Sequence, residues 1–281
     1  MERKNLLILI IHVICVFSLF SQSKLIHKDG FLYTEINLFN NKIASKTTSL
    51  IDTGCSLCLI DSTYAVTALN LSQDVLTSIP INKDHKSMHS FDLDSLIICG
   101  QTINNVKCVY VDLKTLFGRY APNFIIGANV LKNHVWRFDY AKGVIEIDSK
   151  KNNDALIKLK WKSHNDYKDV AFDYIVLDGI IDGNKSRFIF DTGSKYNKLA
   201  TNINLNPSKI IEKETANIYT PLFIQETFMY ENIPIKLDKY TFSLNFIHNN
   251  NNNNFNILNL DFIGEHSFIL DYPKRQIKII E

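Results

Sequence analysis

The stretch FIFDTGSKY, residues Phe188 to Tyr196, runs three apolar residues into an acid, a threonine and a glycine. An earlier stretch, SLIDTGCSL from Ser49 to Leu57, nearly repeats it. Each sets a carboxylate, Asp52 or Asp191, at the end of an apolar strand, where a lone desolvated charge is costly. At ordinary residue frequencies, with Gly near 7%, an Asp-Thr-Gly triplet arises by chance at roughly one position in five thousand. Two such triplets in one chain, each behind an apolar run, point to an internal repeat.

The rest of the chain carries the same repeat. IIGANVLKNHVWRFDYAKGVIEI, from Ile125 to Ile147, aligns without a gap with LNLDFIGEHSFILDYPKRQIKI, from Leu258 onward. His134 meets His266, Trp136 meets Phe268, and Asp139-Tyr140 meets Asp271-Tyr272. The offset there is 132 (271 minus 139), against 139 (191 minus 52) at the triplets, so the second unit is trimmed by seven residues between the landmarks.

Both units read as β. Short runs rich in Val, Ile, Phe and Tyr, such as FLYTEINLF, VKCVYVDL, VWRFDY and SFILDY, are divided by Gly, Asn and Asp turns. DGNK (Asp182 to Lys185) and YAKG (Tyr140 to Gly143) have the composition of hairpin turns. Helix is expected only over Ser62 to Ser72 and in the short NVLKN that begins at Asn129. The pattern predicts an all-β protein of two lobes, residues 22–150 and 169–281, joined by a polar connector at 151–168 with room for one strand. The run of asparagines from Asn249 to Asn254 is too polar to pack and reads as a surface loop.

At 281 residues and 46% apolar content the chain can bury a sizeable core. A formal charge of +2, with no dense basic stripe interleaved with aromatics, argues against nucleic acid as a partner. The N-terminus has a basic Arg3-Lys4, an apolar run from Leu6 to Phe20 and small residues at Ser18, Ser21 and Ser23, which predicts a signal peptide over residues 1–21. The apolar run falls short of the roughly 20 residues that cross a bilayer. Export to a periplasmic or extracellular space is therefore expected, with an uncleaved anchor as the alternative; Val13-Ile14 before Cys15 do not suit a lipidation site. Export permits disulfides among Cys55, Cys58, Cys99 and Cys108, whose three possible pairings the sequence leaves open. Cys55 and Cys58 read as packing residues or a local staple.

Two carboxylates brought face to face have a specific chemistry. Like charges at that distance do not both ionise, so one stays protonated as an acid while the other remains a base. A water held between them loses a proton to the base as the acid protonates the carbonyl under attack. Gly54 and Gly193 allow a tight turn under each acid, and Thr53 and Thr192 can hydrogen-bond across the junction.

LIDTGCS with NFIIGANVL, and FIFDTGS with ILNLDFIGEHSFILDYP, resemble the retropepsin-like aspartic proteases, in a tandem arrangement similar to pepsin's single chain of two lobes. The likeness runs from about Phe31 to the C-terminus. It implies closed β-barrel lobes about a pseudo-two-fold axis, a catalytic dyad of Asp52 and Asp191, and support from Thr53, Gly54, Thr192, Gly193, Ser194 and, in the Ile125-Ile126-Gly127 element, Gly127. It also implies hydrolysis of a peptide or protein substrate without cofactor or metal. One dyad within a monomer is expected, with lobe pairing between chains as the alternative. Flap hairpins are implied near Ile79 to Asp92 and Tyr219 to Thr227; His85 and His89 in the first lack the partners of a metal site. Two positions depart from the pattern: Cys55 follows the first triplet where Ser194 follows the second, and Asn259 stands where the repeat has Gly127. These departures motivate the alternative of a non-catalytic peptide-binding or assembly module.

Overall fold

The computed structural model describes residues 22–80, 87–147, 155–163, 173–201, 203, 205–217, 220–249 and 255–281. The predicted signal peptide, residues 151–154 and 164–168 of the connector, His85, Tyr219 and residues 250–254 of the asparagine run lie outside the described residues. The chain is mostly β, in a thirteen-stranded and a seven-stranded sheet. Among the described residues three short α-helices interrupt the strands, Ser62–Leu69, Leu113–Phe117 and Ala128–Leu131. None is long and apolar enough to cross a membrane.

The strand that leads to each triplet has the same neighbours. Ile43–Ile51 runs antiparallel to Phe31–Asn40 and parallel to Phe124–Ile126. Asn184–Phe190 runs antiparallel to Val176–Ile181 and parallel to Asn256–Leu258. Ile51, Ile126, Phe190 and Leu258 are all buried, so both triplets leave a sheet whose faces are covered.

Strands from both ends of the chain also share one sheet. Ser267–Asp271 pairs antiparallel with Val135–Asp139, setting Phe268 opposite Phe138, Ile269 opposite Arg137 and Leu270 opposite Trp136. The rings of Phe138 and Phe268 stack with centroids 4.4 Å apart. Val144–Ile147 and then Gln22–Lys28 extend this sheet on one side; Gln276–Ile280 and then Ile157–Lys160 extend it on the other. Ile157–Lys160 is the strand expected within the connector. Rather than spanning open space between two separate units, it pairs with the last strand of the chain.

Local chemistry sets the turns. Asp182 (φ 49°) and Gly183 (φ 72°) both adopt left-handed backbone between Ile181 and Asn184, the two-residue turn that matches strand twist. The turns after Asp139 and Asp271 are built alike: Lys142 N donates to Asp139 Oδ1 (3.0 Å) and Lys274 N to Asp271 Oδ1 (3.1 Å). Both acids are buried and neutralised by lysines, Asp139 by Lys142 and Asp271 by Lys278 and Lys274. The helix at Ser62 is capped by Asp61 Oδ1, which accepts from Tyr64 N (3.0 Å). It ends at Leu69, short of the expected Ser72, because Asn70 turns left-handed (φ 48°) and closes it.

Phe268→Ala should remove the ring that stacks on Phe138 and meets Phe190 edge-on. Denaturant unfolding is expected to show a loss of about 3–5 kcal/mol.

Candidate active site

The two triplets meet at the centre of the molecule. Asp52 N donates to Ile126 O (3.0 Å), and Asp191 N donates to Leu258 O (2.8 Å), so each acid is fixed by the parallel neighbour of its own strand. Each chain then turns back so that Gly54 N donates to Asp52 Oδ1 (2.8 Å) and Gly193 N to Asp191 Oδ1 (2.9 Å).

Thr53 and Thr192, both fully buried, lock the loops together. Thr53 N donates to Thr192 Oγ1 (3.1 Å), and Thr192 N donates to Thr53 Oγ1 (3.1 Å). Thr53 Oγ1 donates to Phe190 O (2.8 Å), and Thr192 Oγ1 donates to Ile51 O (2.7 Å). Each hydroxyl thus accepts from the opposite loop and donates to the opposite strand, which leaves neither free to rotate. The glycines are demanded by proximity: a Cβ on Gly54 would overlap the Asp191 carboxyl, and one on Gly193 the Asp52 carboxyl.

The carboxyl groups of Asp52 and Asp191, both from the one chain, each lie against the glycine of the opposite triplet, which brings them close enough for the charge of Asp191 to act on Asp52. Burial, then the charge of Asp191, holds the Asp52 carboxyl well above the usual carboxylate range. Burial raises Asp191 as well, but the Lys198 ammonium and the bond accepted from Asp52 pull it down. The pair thus favours sharing one proton, and the Lys198 charge biases Asp191 toward its ionised form. Sequence reasoning missed Lys198. The repeat offset of 139 sets it against Leu59, and nothing in its local pattern marks it as facing a carboxylate.

Both departures from the repeat have structural replacements. Cys55 Sγ donates to Leu57 O (2.9 Å), and Ser194 Oγ donates to Tyr196 O (2.9 Å), so thiol and hydroxyl brace their loops by the same bond. Burial, then the charge of Asp52, pushes the Cys55 thiol up and keeps it neutral. Gly127 packs so closely that a Cβ would strike Leu57 O, and Ala128 N donates to Cys55 O (2.7 Å). Asn259 keeps an ordinary extended backbone (φ −91°), and its Nδ2 donates to Lys195 O (2.8 Å). The Asn259 side chain thus reaches the loop that the backbone reaches in the first half. Asn259 N donates to Asn197 Oδ1 (2.8 Å), as Gly127 N donates to Cys58 Sγ (3.4 Å).

An apolar recess of about 70 Å³ adjoins Asp52 and Gly193, lined by Phe31, Tyr33, Leu50, Phe117 and Ile125 among others. Two hairpins occupy the places expected for flaps. Thr77–Pro80 pairs with Ser87–Ile98, and residues 81–86 between them lie outside the described residues. Lys209–Asn217 pairs with Thr220–Leu237 and is tied to the first half by Glu214, whose carboxylate takes Arg119 (2.7 Å) and Tyr120 OH (2.8 Å).

Cys55, Cys58, Cys99 and Cys108 carry free thiols. Of the two readings of Cys55 and Cys58, packing is the one realised. Burial pushes the Cys58 thiol up to about 12 and the Cys99 thiol up to about 11. His134 packs edge-on against Trp136, whereas His266 is exposed, so the matched histidines share no site. Among the described residues no three His, Cys, Asp or Glu side chains gather as metal ligands would. Compared with protein-family models and with curated proteins, the chain matches none.

The folded chain keeps a proton on the Asp52–Asp191 pair at a pH where the unfolded chain has released it. Folding stability therefore falls as pH rises past the ordinary carboxylate range. Asp52→Asn, which removes this titration, should raise the melting temperature at about pH 7, by roughly 2–4 °C per kcal/mol gained, with the gain shrinking toward about pH 4. Thermal unfolding of both proteins across that range measures it.

Proposed function

We propose that the chain is an aspartic endopeptidase of the retropepsin-like kind, with Asp52 and Asp191 of one chain as its catalytic dyad. The observation that carries this reading is the juxtaposition of two half-buried carboxyl groups, each set against the glycine of the opposite triplet and held by reciprocal threonine bonds. The Asp191 carboxylate takes a proton from a water as its oxygen attacks the scissile carbonyl carbon, and Asp52 gives its proton to the carbonyl oxygen. The tetrahedral diol then collapses as Asp191 gives the proton it took from water to the peptide nitrogen, a diol hydroxyl returns a proton to Asp52 and the C–N bond breaks. The recess beside Asp52 suits an apolar substrate side chain next to that bond.

The wider assignment is two barrel-like lobes about a pseudo-two-fold axis. Its support is the pairing of Arg137 with Ile269, residues equivalent at the repeat offset of 132 and directly opposite one another. The dyad within one chain favours a monomer over lobe pairing between chains. The rival reading, a non-catalytic module, drew on Asn259 and Cys55, and both make the bonds that brace the loops. Export to a periplasmic or extracellular space, with residues 1–21 removed, completes the proposal.

Purified protein lacking residues 1–21 should cleave extended peptides at acidic to neutral pH and bind a statine-type mimic of the diol. Asp52→Asn and Asp191→Asn should each lower kcat/KM at least about a thousandfold, about 4 kcal/mol in the barrier. No cleavage and no mimic binding across that pH range would sink the proposal. The pH profile should be bell-shaped, its acid limb set by protonation of Asp191 and its alkaline limb by loss of the Asp52 proton. Lys198→Met should move the acid limb to higher pH, because the ammonium that holds the Asp191 proton affinity down is gone.

A further inference from the structure

A second recess, of about 110 Å³, opens beside the Gly193-Ser194 backbone, between the hairpin of Lys209–Asn217 and the turn that carries Tyr120. Its walls include Lys195, Lys198 and Lys213. Lys213 is the unusual one: only 5% of it is exposed, although a buried ammonium is costly without a counter-charge. Its charged neighbour is a second cation, Lys198, and with burial as the larger cause the two push the Lys213 ammonium down to about 8. The carboxylate on the wall, Glu214, is already engaged by Arg119 (2.7 Å) and Tyr120 OH (2.8 Å). Lys195 Nζ donates to Tyr120 OH (3.2 Å) and stands 5.0 Å over its ring. Among the described residues neither Lys198 nor Lys213 has a carboxylate within ion-pair distance. The recess is thus a small, partly desolvated cavity with surplus positive charge and room for a single side chain.

We propose that this recess is a substrate subsite for a carboxylate side chain, the Asp or Glu of a bound peptide. The inference rests on the endopeptidase reading, because it takes the occupant to be part of the same extended substrate. The recess shares Phe31, Phe117, Tyr120 and Gly193 with the apolar one beside Asp52, so the two are adjacent. An extended peptide presents residues i and i+2 on the same side. The acidic residue therefore falls two positions from the apolar residue that fills the first recess. A carboxylate there supplies the counter-charge that Lys213 lacks and desolvates with it, conditions under which a charge pair discriminates strongly.

The test uses peptides acetylated and amidated at their ends, so that the side chain is the sole carboxylate, with a reduced amide at the scissile position. Glu and Gln versions are titrated calorimetrically into wild-type protein and Lys213→Met, below the pH at which Lys213 loses its proton. Met keeps the apolar stem and removes a buried charge, so this variant is expected to fold. The Glu peptide should bind wild type roughly tenfold more tightly than the Gln peptide. In Lys213→Met the ratio of Glu to Gln peptide affinity should fall toward one. Equal binding of both by wild type, or an unchanged ratio in Lys213→Met, overturns the subsite. Parallel assays with normal-amide peptides separate the two claims. Cleavage without Glu preference removes the subsite and leaves the endopeptidase, whereas Glu-selective binding without cleavage removes the endopeptidase and leaves the subsite. Absence of any peptide binding overturns both.

Discussion

Two half-buried carboxyl groups held side by side repel one another unless a proton is shared, and the four hydrogen bonds of Thr53 and Thr192 hold the loops that carry them together. Each threonine satisfies an amide of the opposite loop and a carbonyl of the opposite strand, so neither triplet completes its own hydrogen bonding without the other. A group left unpaired at that depth costs about 1–3 kcal/mol. That constraint explains the glycines, which bring each backbone against the opposing carboxyl. It also explains why both triplet strands end between covered sheet faces.

Around this constraint the two halves reach equivalent geometry with unlike side chains. A thiol braces one loop and a hydroxyl the other. A backbone amide reaches the first loop, and the amide of Asn259 reaches the second. The halves differ most at Lys198, a cation whose repeat-equivalent position is Leu59. Its charge lowers the proton affinity of Asp191, which biases the ionised form toward that side of the pair. The same ammonium faces Lys213, so a single residue both polarises the proposed dyad and charges the recess beside it.

One sheet joins the halves through the pairing of Val135–Asp139 with Ser267–Asp271. Phe138 on Phe268 places two aromatic rings at the crossing, and the buried Asp139 and Asp271 each close a turn while paired with lysines. The triplet loops are therefore anchored below by strands drawn from both ends of the chain. The Glu214 contacts to Arg119 and Tyr120 tie the halves again on the side of the second hairpin.

Much of this was legible in the residues. Alternating apolar runs gave the strands, the doubled triplet gave the two acids with their threonines and glycines, and DGNK gave its hairpin, because each depends on neighbours a few positions apart. The helix end at Asn70, the free state of the four cysteines and the pairing of Ile157–Lys160 with the last strand were not legible. By itself, the sequence determined an all-β chain with a repeated acid-bearing strand end, since propensity and pattern are local. Only the tertiary structure decided that Asp52 meets Asp191, that the Lys198 charge reaches Asp191 and that Lys213 is buried without a counter-charge. Electrostatics depends on distance and burial between residues far apart in the chain, and no local pattern encodes either.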